Sequence, residues 1–212
     1  MSARYDAVLF DFDGVLVDSE PLHYECWNDV LARFGLSLQW DDYVARCIGV
    51  SDKHMIQALC DIQGRQDLFD PIWNLYPYKK QIFRERVKER VLMSEATRTL
   101  IAELAGGPLG PVALAVVSSS GRAEVEPPLE YAGVRDFFRV TVFGEDVKRL
   151  KPDPEPYLLA AQRLGVQRPL VVEDSEAGLA SGRAAGFDVV RIPSAGDTAR
   201  LVREAIQQPS SN

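Results

Sequence analysis

Ala7-Val8-Leu9-Phe10-Asp11-Phe12-Asp13-Gly14-Val15 decides how this chain is read. A short apolar run ends in two aspartates one residue apart, and a glycine follows at once. The run reads as a buried strand, and Gly14 as the turn that releases the chain from it. In open α/β sheets, ligands bind just outside the carboxyl ends of the strands. Asp11 and Asp13 would stand there. Residues i and i+2 of a strand face the same way, and two carboxylates held that close require a cation or a shared proton. Aspartate is also common in strand-end turns, where it caps backbone amides, so this stretch alone supports both readings.

Outward from it, the pattern is an interrupted one. The first strand spans about 5–11, and residues 21–90 hold no convincing strand. Leu22, Cys26, Trp27, Val30, Leu31 and Phe34 recur at intervals of three and four, as in amphipathic helices. Gly35, Gly49, Pro71 and Pro77 punctuate this block. Alternation then begins: a helix over about 95–105, a strand at 112–117, a helix around 122–132 and a strand at 139–143. A helix at about 154–164, a strand at 170–173, a helix at 175–185 and a strand at 187–192 follow, and 207–212 reads as a frayed tail. Such alternation implies a parallel sheet covered on both faces, with the helical block after the first strand as an inserted cap.

Composition narrows the function. The 212 residues carry a net charge of −7 with no dominating basic block, which argues against a nucleic-acid or anionic-membrane surface. No apolar run approaches the roughly 20 residues that span a bilayer, and the first strand is expected to stand without a leader peptide before it. Cys26, Cys47 and Cys60 are odd in number and lack metal-site spacing, so they read as small buried side chains in a reducing compartment. The expectation is a cytoplasmic protein without nucleic-acid or membrane partners.

The other strand ends repeat the pattern of the first. The second is followed by Ser118-Ser119-Ser120-Gly121, whose amides and hydroxyls suit a phosphoryl oxygen or a helix cap. After the third comes Lys151-Pro152-Asp153-Pro154, where the lysine could reach a phosphate or neutralise Asp11. The fourth ends in Glu173-Asp174-Ser175, two acids that suit a magnesium ligand and its support, or a helix N-cap. Gly178, Gly182 and Gly186 beyond it are expected to permit close helix–sheet contact. Chance capping residues would not produce this whole set in sequential order.

These four motifs, with Glu176-Ala177-Gly178 closing the last, resemble those of the haloacid dehalogenase-like hydrolases. The match runs over nearly the whole chain. It implies a Rossmann-like three-layer α/β core at 1–16 and 90–212, with a helical type 1 cap at 17–89. Val15-Leu16-Val17-Asp18-Ser19-Glu20-Pro21-Leu22-His23 and Arg46-Cys47-Ile48-Gly49-Val50-Ser51 are similar to the branch of sugar-phosphate phosphatases and beta-phosphoglucomutase. The resemblance implies Asp11 as nucleophile and Asp13 as general acid and base. It implies Mg2+ held by the Asp11 carboxylate, the Asp13 main-chain carbonyl and Asp174, with Glu173 supporting that shell. Ser118, Ser119 and Lys151 would bind the phosphoryl group, and Arg46, His23 and Lys79 of the cap would meet the substrate.

Gly121-Arg122 stands where the mutase resemblance would have Lys-Asn. A mutase must keep its grip on a bisphosphate while that molecule reorients, so this departure favours hydrolysis. The expected activity is therefore a phosphatase acting on a small phosphorylated metabolite, with a beta-phosphoglucomutase-type transferase as the alternative. A phospho-receiver, which also uses a strand-end aspartate with magnesium, fits less well, because it needs an open face that a cap would cover. The oligomeric state stays open, a monomer being compatible.

Overall fold

The structure is a computed structural model describing residues 4–48, 52–90, 92–106 and 112–207. Among them the chain divides into two compact units, one formed by Met1–Asp18 with Arg90–Asn212 and the other by Ser19–Glu89.

The first unit holds a five-stranded parallel sheet in the order β3-β2-β1-β4-β5. Its strands are β1 (Ala7–Phe10), β2 (Ala113–Val117), β3 (Val140–Val142), β4 (Pro169–Glu173) and β5 (Asp188–Arg191). β1 is central because its four residues are fully buried, and a strand buried on both faces must lie between others. Phe10 registers with Val116 on one side and Val172 on the other. One face of the sheet (Val8, Phe10, Leu114, Val116, Leu170, Val172) packs on α6 (Glu95–Gly106), α7 (Arg122–Tyr131) and α10 (Thr198–Gln207). The opposite face (Ala7, Leu9, Ala115, Val117, Val171) packs on α8 (Glu155–Leu164), through Tyr157 and Ala160. α9 (Glu176–Ala184) is set against the β4–β5 edge, where a Cβ on Gly182 would stand 2.9 Å from Val189 and 3.0 Å from Val171.

Each expected strand and helix of this unit is present, with ends shifted by one or two residues. α10 is the addition. It carries Ala199 and Val202 into the core, and the buried Thr198 hydroxyl donates to Val15 O at 2.7 Å, bracing the loop after β1. Gly186 differs from expectation too. A Cβ there would meet nothing within 4 Å; the residue has φ +81° and turns the chain out of α9. Val17 and Asp18 go with this unit, because Val17 N donates to Phe12 O and Asp18 N to Leu92 O.

The second unit comprises α1 (Glu20–Ala32), α2 (Trp40–Arg46), α3 (Asp52–Gln63), α4 (Phe69–Trp73) and α5 (Tyr76–Arg86), with no strand among the described residues. Trp27, Val30, Leu31, Ile56, Leu59 and Ile72 form its core. Cys26, Cys47 and Cys60 are buried thiols, which burial pushes up in pKa and away from nucleophilic use. No helix of the described residues is long and apolar enough to cross a membrane.

Candidate active site

The pleat decides which side chains meet. Side chains alternate across a strand, so Asp11 continues the Ala7–Leu9 face of β1, and Glu173 continues the Val171 face of β4. Both therefore turn toward α8. Strand β1 itself ends at Phe10, but Asp11 N still donates to Val172 O at 2.9 Å, so the ladder reaches the acid.

Lys151 ties the two carboxylates together. Its Nζ donates to Asp11 Oδ1 at 2.5 Å, to Glu173 Oε1 at 2.6 Å and to Val117 O at 2.9 Å. All three ammonium protons are thereby used. Burial works against the charge on Lys151, yet the Asp11 and Glu173 carboxylates hold its pKa above the ordinary lysine value. The loop that carries it is fixed at its base: Ser181 Oγ donates to Asp153 O at 2.5 Å, and the Glu155 carboxylate accepts from Lys148 N at 2.9 Å and Arg149 N at 3.2 Å.

Glu173 is fully buried and saturated with donors. Besides Lys151, Oε1 accepts from the Tyr157 hydroxyl at 2.7 Å. Oε2 accepts from Asp174 N at 3.1 Å, Ser175 N at 3.2 Å and Ser175 Oγ at 3.1 Å. Burial, with Glu173 adding to it, keeps the Tyr157 phenol far above its usual pKa, so it remains a donor. A Cβ on Gly178 would overlap the Glu173 carboxylate, so α9 approaches the acid over a bare backbone. Gly178→Ala is expected to lower the melting temperature by about 6 °C through overpacking. Unchanged thermal unfolding would mean that the carboxylate has another place to go.

Asp11, Glu173 and Asp174 present carboxylate oxygens that all lie within 4.8 Å of one another. Burial, then the neighbouring Glu173 charge, raises the Asp174 pKa to about 6, and burial raises that of Asp11 as well. Ionised together, the three crowded acids would exceed the charge of Lys151 by two, which is what the raised pKa values of Asp11 and Asp174 resist. An all-oxygen set of this charge fits a hard divalent cation such as magnesium. Gly14 makes room for the Asp174 carboxylate: its φ is +72°, and a Cβ placed there would collide with that group.

Asp13 lies past the strand, in a loop closed by Gly14 N donating to Val17 O at 2.9 Å. Its Oδ2 accepts from Ser120 Oγ at 3.2 Å. Ser118 is buried and its Oγ accepts from Ser120 N at 3.0 Å, leaving its own O–H to donate, whereas Ser119 is exposed. Sequence reasoning singled out Ser118 and Ser119 but gave no role to Ser120 or Tyr157. Nothing in the one-dimensional pattern separates Ser120 from its neighbours, and Tyr157 reads as an ordinary core aromatic.

Within the helical unit, His23 and Lys79 meet. Lys79 Nζ and His23 Nδ1 are 2.7 Å apart, and the imidazole stacks on Phe83 with centroids at 4.2 Å. Lys79 is buried and also pairs with Asp52 at 3.7 Å. Burial, reinforced by Lys79, lowers the His23 pKa to about 3, so the ring is neutral at neutral pH. Arg46 is exposed at the end of α2, and Gly49, Val50 and Ser51 fall outside the described residues.

The haloacid dehalogenase-like hydrolase family model matches residues 8–192, from β1 through the end of the sheet. This chain belongs to that family. The hydrolase is 32% identical over 186 residues to a phosphorylated carbohydrates phosphatase of Thermotoga maritima, covering 86% of this chain and 82% of the relative. It is 31% identical to a fructose-1-phosphate phosphatase of Escherichia coli, over 91% of this chain and 98% of that one. Among solved structures, CbbY from Rhodobacter sphaeroides in complex with phosphate superposes with a TM-score of 0.67 at 26% identity, over 87% of this chain and 84% of the other.

Proposed function

We propose that this hydrolase is a magnesium-dependent phosphatase of a small phosphorylated metabolite, a sugar phosphate by its relatives, working through an aspartyl-phosphate. The observation that carries the reading is the buried Asp11 carboxylate, paired with Lys151 at 2.5 Å beside Glu173 and Asp174. An Asp11 oxygen attacks phosphorus while the bond from phosphorus to the substrate oxygen breaks, and Asp13 gives that oxygen a proton. Water then attacks the phosphoaspartate, Asp13 takes its proton, and Asp11 and inorganic phosphate are released. Ser120, bonded to Asp13, suits the task of orienting it for both transfers. Ser118, Ser119 and Lys151 bind the phosphoryl oxygens. The Asp11 carboxylate, the Asp13 main-chain carbonyl and Asp174 would hold Mg2+, with Glu173 in support. The bound ion offsets the repulsion between an anionic nucleophile and an anionic phosphate.

The helical unit would serve as the cap that selects the substrate through Arg46, His23 and Lys79; of these Arg46 is exposed, while Lys79 is buried and held by His23 and Asp52. The mutase alternative needs substrate contacts at Gly121-Arg122, where Gly121 has no side chain to supply them and Arg122 could supply only some. Arg122 is instead engaged by Glu126 at 2.7 Å and lies over the Phe143 ring at 4.5 Å, which supports hydrolysis.

One assay series tests all of this. The purified protein is expected to turn over para-nitrophenyl phosphate many times with magnesium, and to lose that activity in excess chelator. Undiminished rates in chelator would remove Asp174 as a ligand, and a single turnover would indicate a receiver. With beta-glucose-1-phosphate and a trace of the bisphosphate, the product is expected to be free phosphate. Glucose-6-phosphate as the main product would replace the phosphatase by the mutase.

A further inference from the structure

We propose that Tyr157 is a positioning residue of the reaction: its hydroxyl fixes the Glu173 carboxylate, which in turn holds the Lys151 ammonium beside Asp11.

Tyr157 is fully buried on α8, among apolar neighbours that a phenylalanine would satisfy equally. A buried phenol needs an acceptor, and here that acceptor is the very oxygen, Glu173 Oε1, that also takes Lys151 Nζ. The ring also lies beneath the ammonium, with Nζ 5.1 Å from its centroid. Lysine has a long flexible stem, and ordering it costs rotamer freedom. Three acceptors do the ordering. One of them, Asp11, changes character once its oxygen bonds to phosphorus. The other two, Val117 O and Glu173, must then keep the ammonium in place while charge redistributes over the phosphoryl oxygens. Val117 O is fixed by the sheet. Glu173 Oε2 is fixed by the start of α9, whereas among the described residues Oε1 has Tyr157 as its one partner besides the lysine itself. The hydroxyl is therefore expected to matter more in the transition state than in the bound ground state, and so to act on kcat rather than KM.

This inference rests on the phosphatase reading for its kinetic consequences, but not for its geometry, so both are measured. Tyr157→Phe keeps the ring and removes the hydroxyl. With para-nitrophenyl phosphate, kcat is expected to fall about 10-fold while KM stays within about twofold. Inhibition by orthovanadate, which mimics the five-coordinate phosphorus, should weaken about 10-fold, and inhibition by inorganic phosphate by less than about twofold. In a Glu173→Gln background, the further change Tyr157→Phe should alter kcat by less than about twofold, because the group it positions has already been disabled. The Lys151 ammonium signal in 15N NMR, identified by its loss in Lys151→Met, should broaden in Tyr157→Phe.

A kcat within about twofold of the parent overturns the proposal, as does equal weakening of vanadate and phosphate. Loss of the folded circular-dichroism spectrum also overturns it, since it would make the hydroxyl a requirement for packing. If the parent enzyme turns over no phosphate ester, the phosphatase reading falls by itself, and the ammonium signal still decides whether Tyr157 orders Lys151.

Discussion

Asp11→Asn is expected to leave the protein folded and to lower phosphate release by about four orders of magnitude or more. Asparagine has the shape of aspartate, and its amide oxygen can still accept from Lys151 Nζ. What it loses is the anionic oxygen that attacks phosphorus. Stability should change little, because removing one of three crowded acids lessens repulsion as much as it weakens the lysine pair. Steady-state phosphate release and thermal unfolding, measured on the same preparation, check both halves. Turnover within a few-fold of the parent would mean that Asp11 does not form the covalent intermediate, and that the Asp11–Lys151 pair is structural. A silent variant with an intact fold also gives a direct binding assay for candidate sugar phosphates, since bound substrate would not be consumed.

How the sequence foretells this site depends on distance along the chain. The acids at the ends of β1 and β4 are legible because each terminates a continuous apolar run, and a parallel sheet brings those ends to one edge. Their convergence follows from pleat parity alone, since Asp11 and Glu173 each lie two residues beyond an inward-facing Leu9 or Val171. Tyr157 is not legible. Its helical spacing predicts burial, but its acceptor comes from a strand 16 residues further on, and no local pattern encodes that pairing. The same holds for His23 and Lys79, which meet across 56 residues. Lys79 in Lys79-Lys80-Gln81 has the composition of a solvated helix face, yet it is buried against His23, Asp52 and the Trp27 ring. α10 is a different case, because its apolar residues Ala199, Val202 and Ile206 recur at intervals of three and four and all three pack on the core, so the helix is legible in the sequence although the sequence analysis above draws no element there.

Lys151→Met should be costly in two separable ways. The substitution keeps much of the stem volume but leaves the buried Glu173 and Asp11 carboxylates without their shared cation. Breaking a buried ion pair by removing one partner costs about 3–5 kcal/mol, so in chelator the melting temperature should fall by about 10 °C. Magnesium should restore part of that loss, and should stabilise the variant more than the parent, because the variant has three acids and no lysine to set against them. Activity should fall by about three orders of magnitude even with saturating magnesium, because the ion cannot donate hydrogen bonds to the phosphoryl oxygens that Lys151 would contact. Thermal unfolding with and without magnesium, alongside kcat for para-nitrophenyl phosphate, separates the effects. A variant that melts within about two degrees of the parent in chelator would show that the acids are neutralised by protons rather than by Lys151. A variant that regains full activity in magnesium would confine Lys151 to charge compensation, and the contact with the transferring group would have to come from Ser118 and the neighbouring amides.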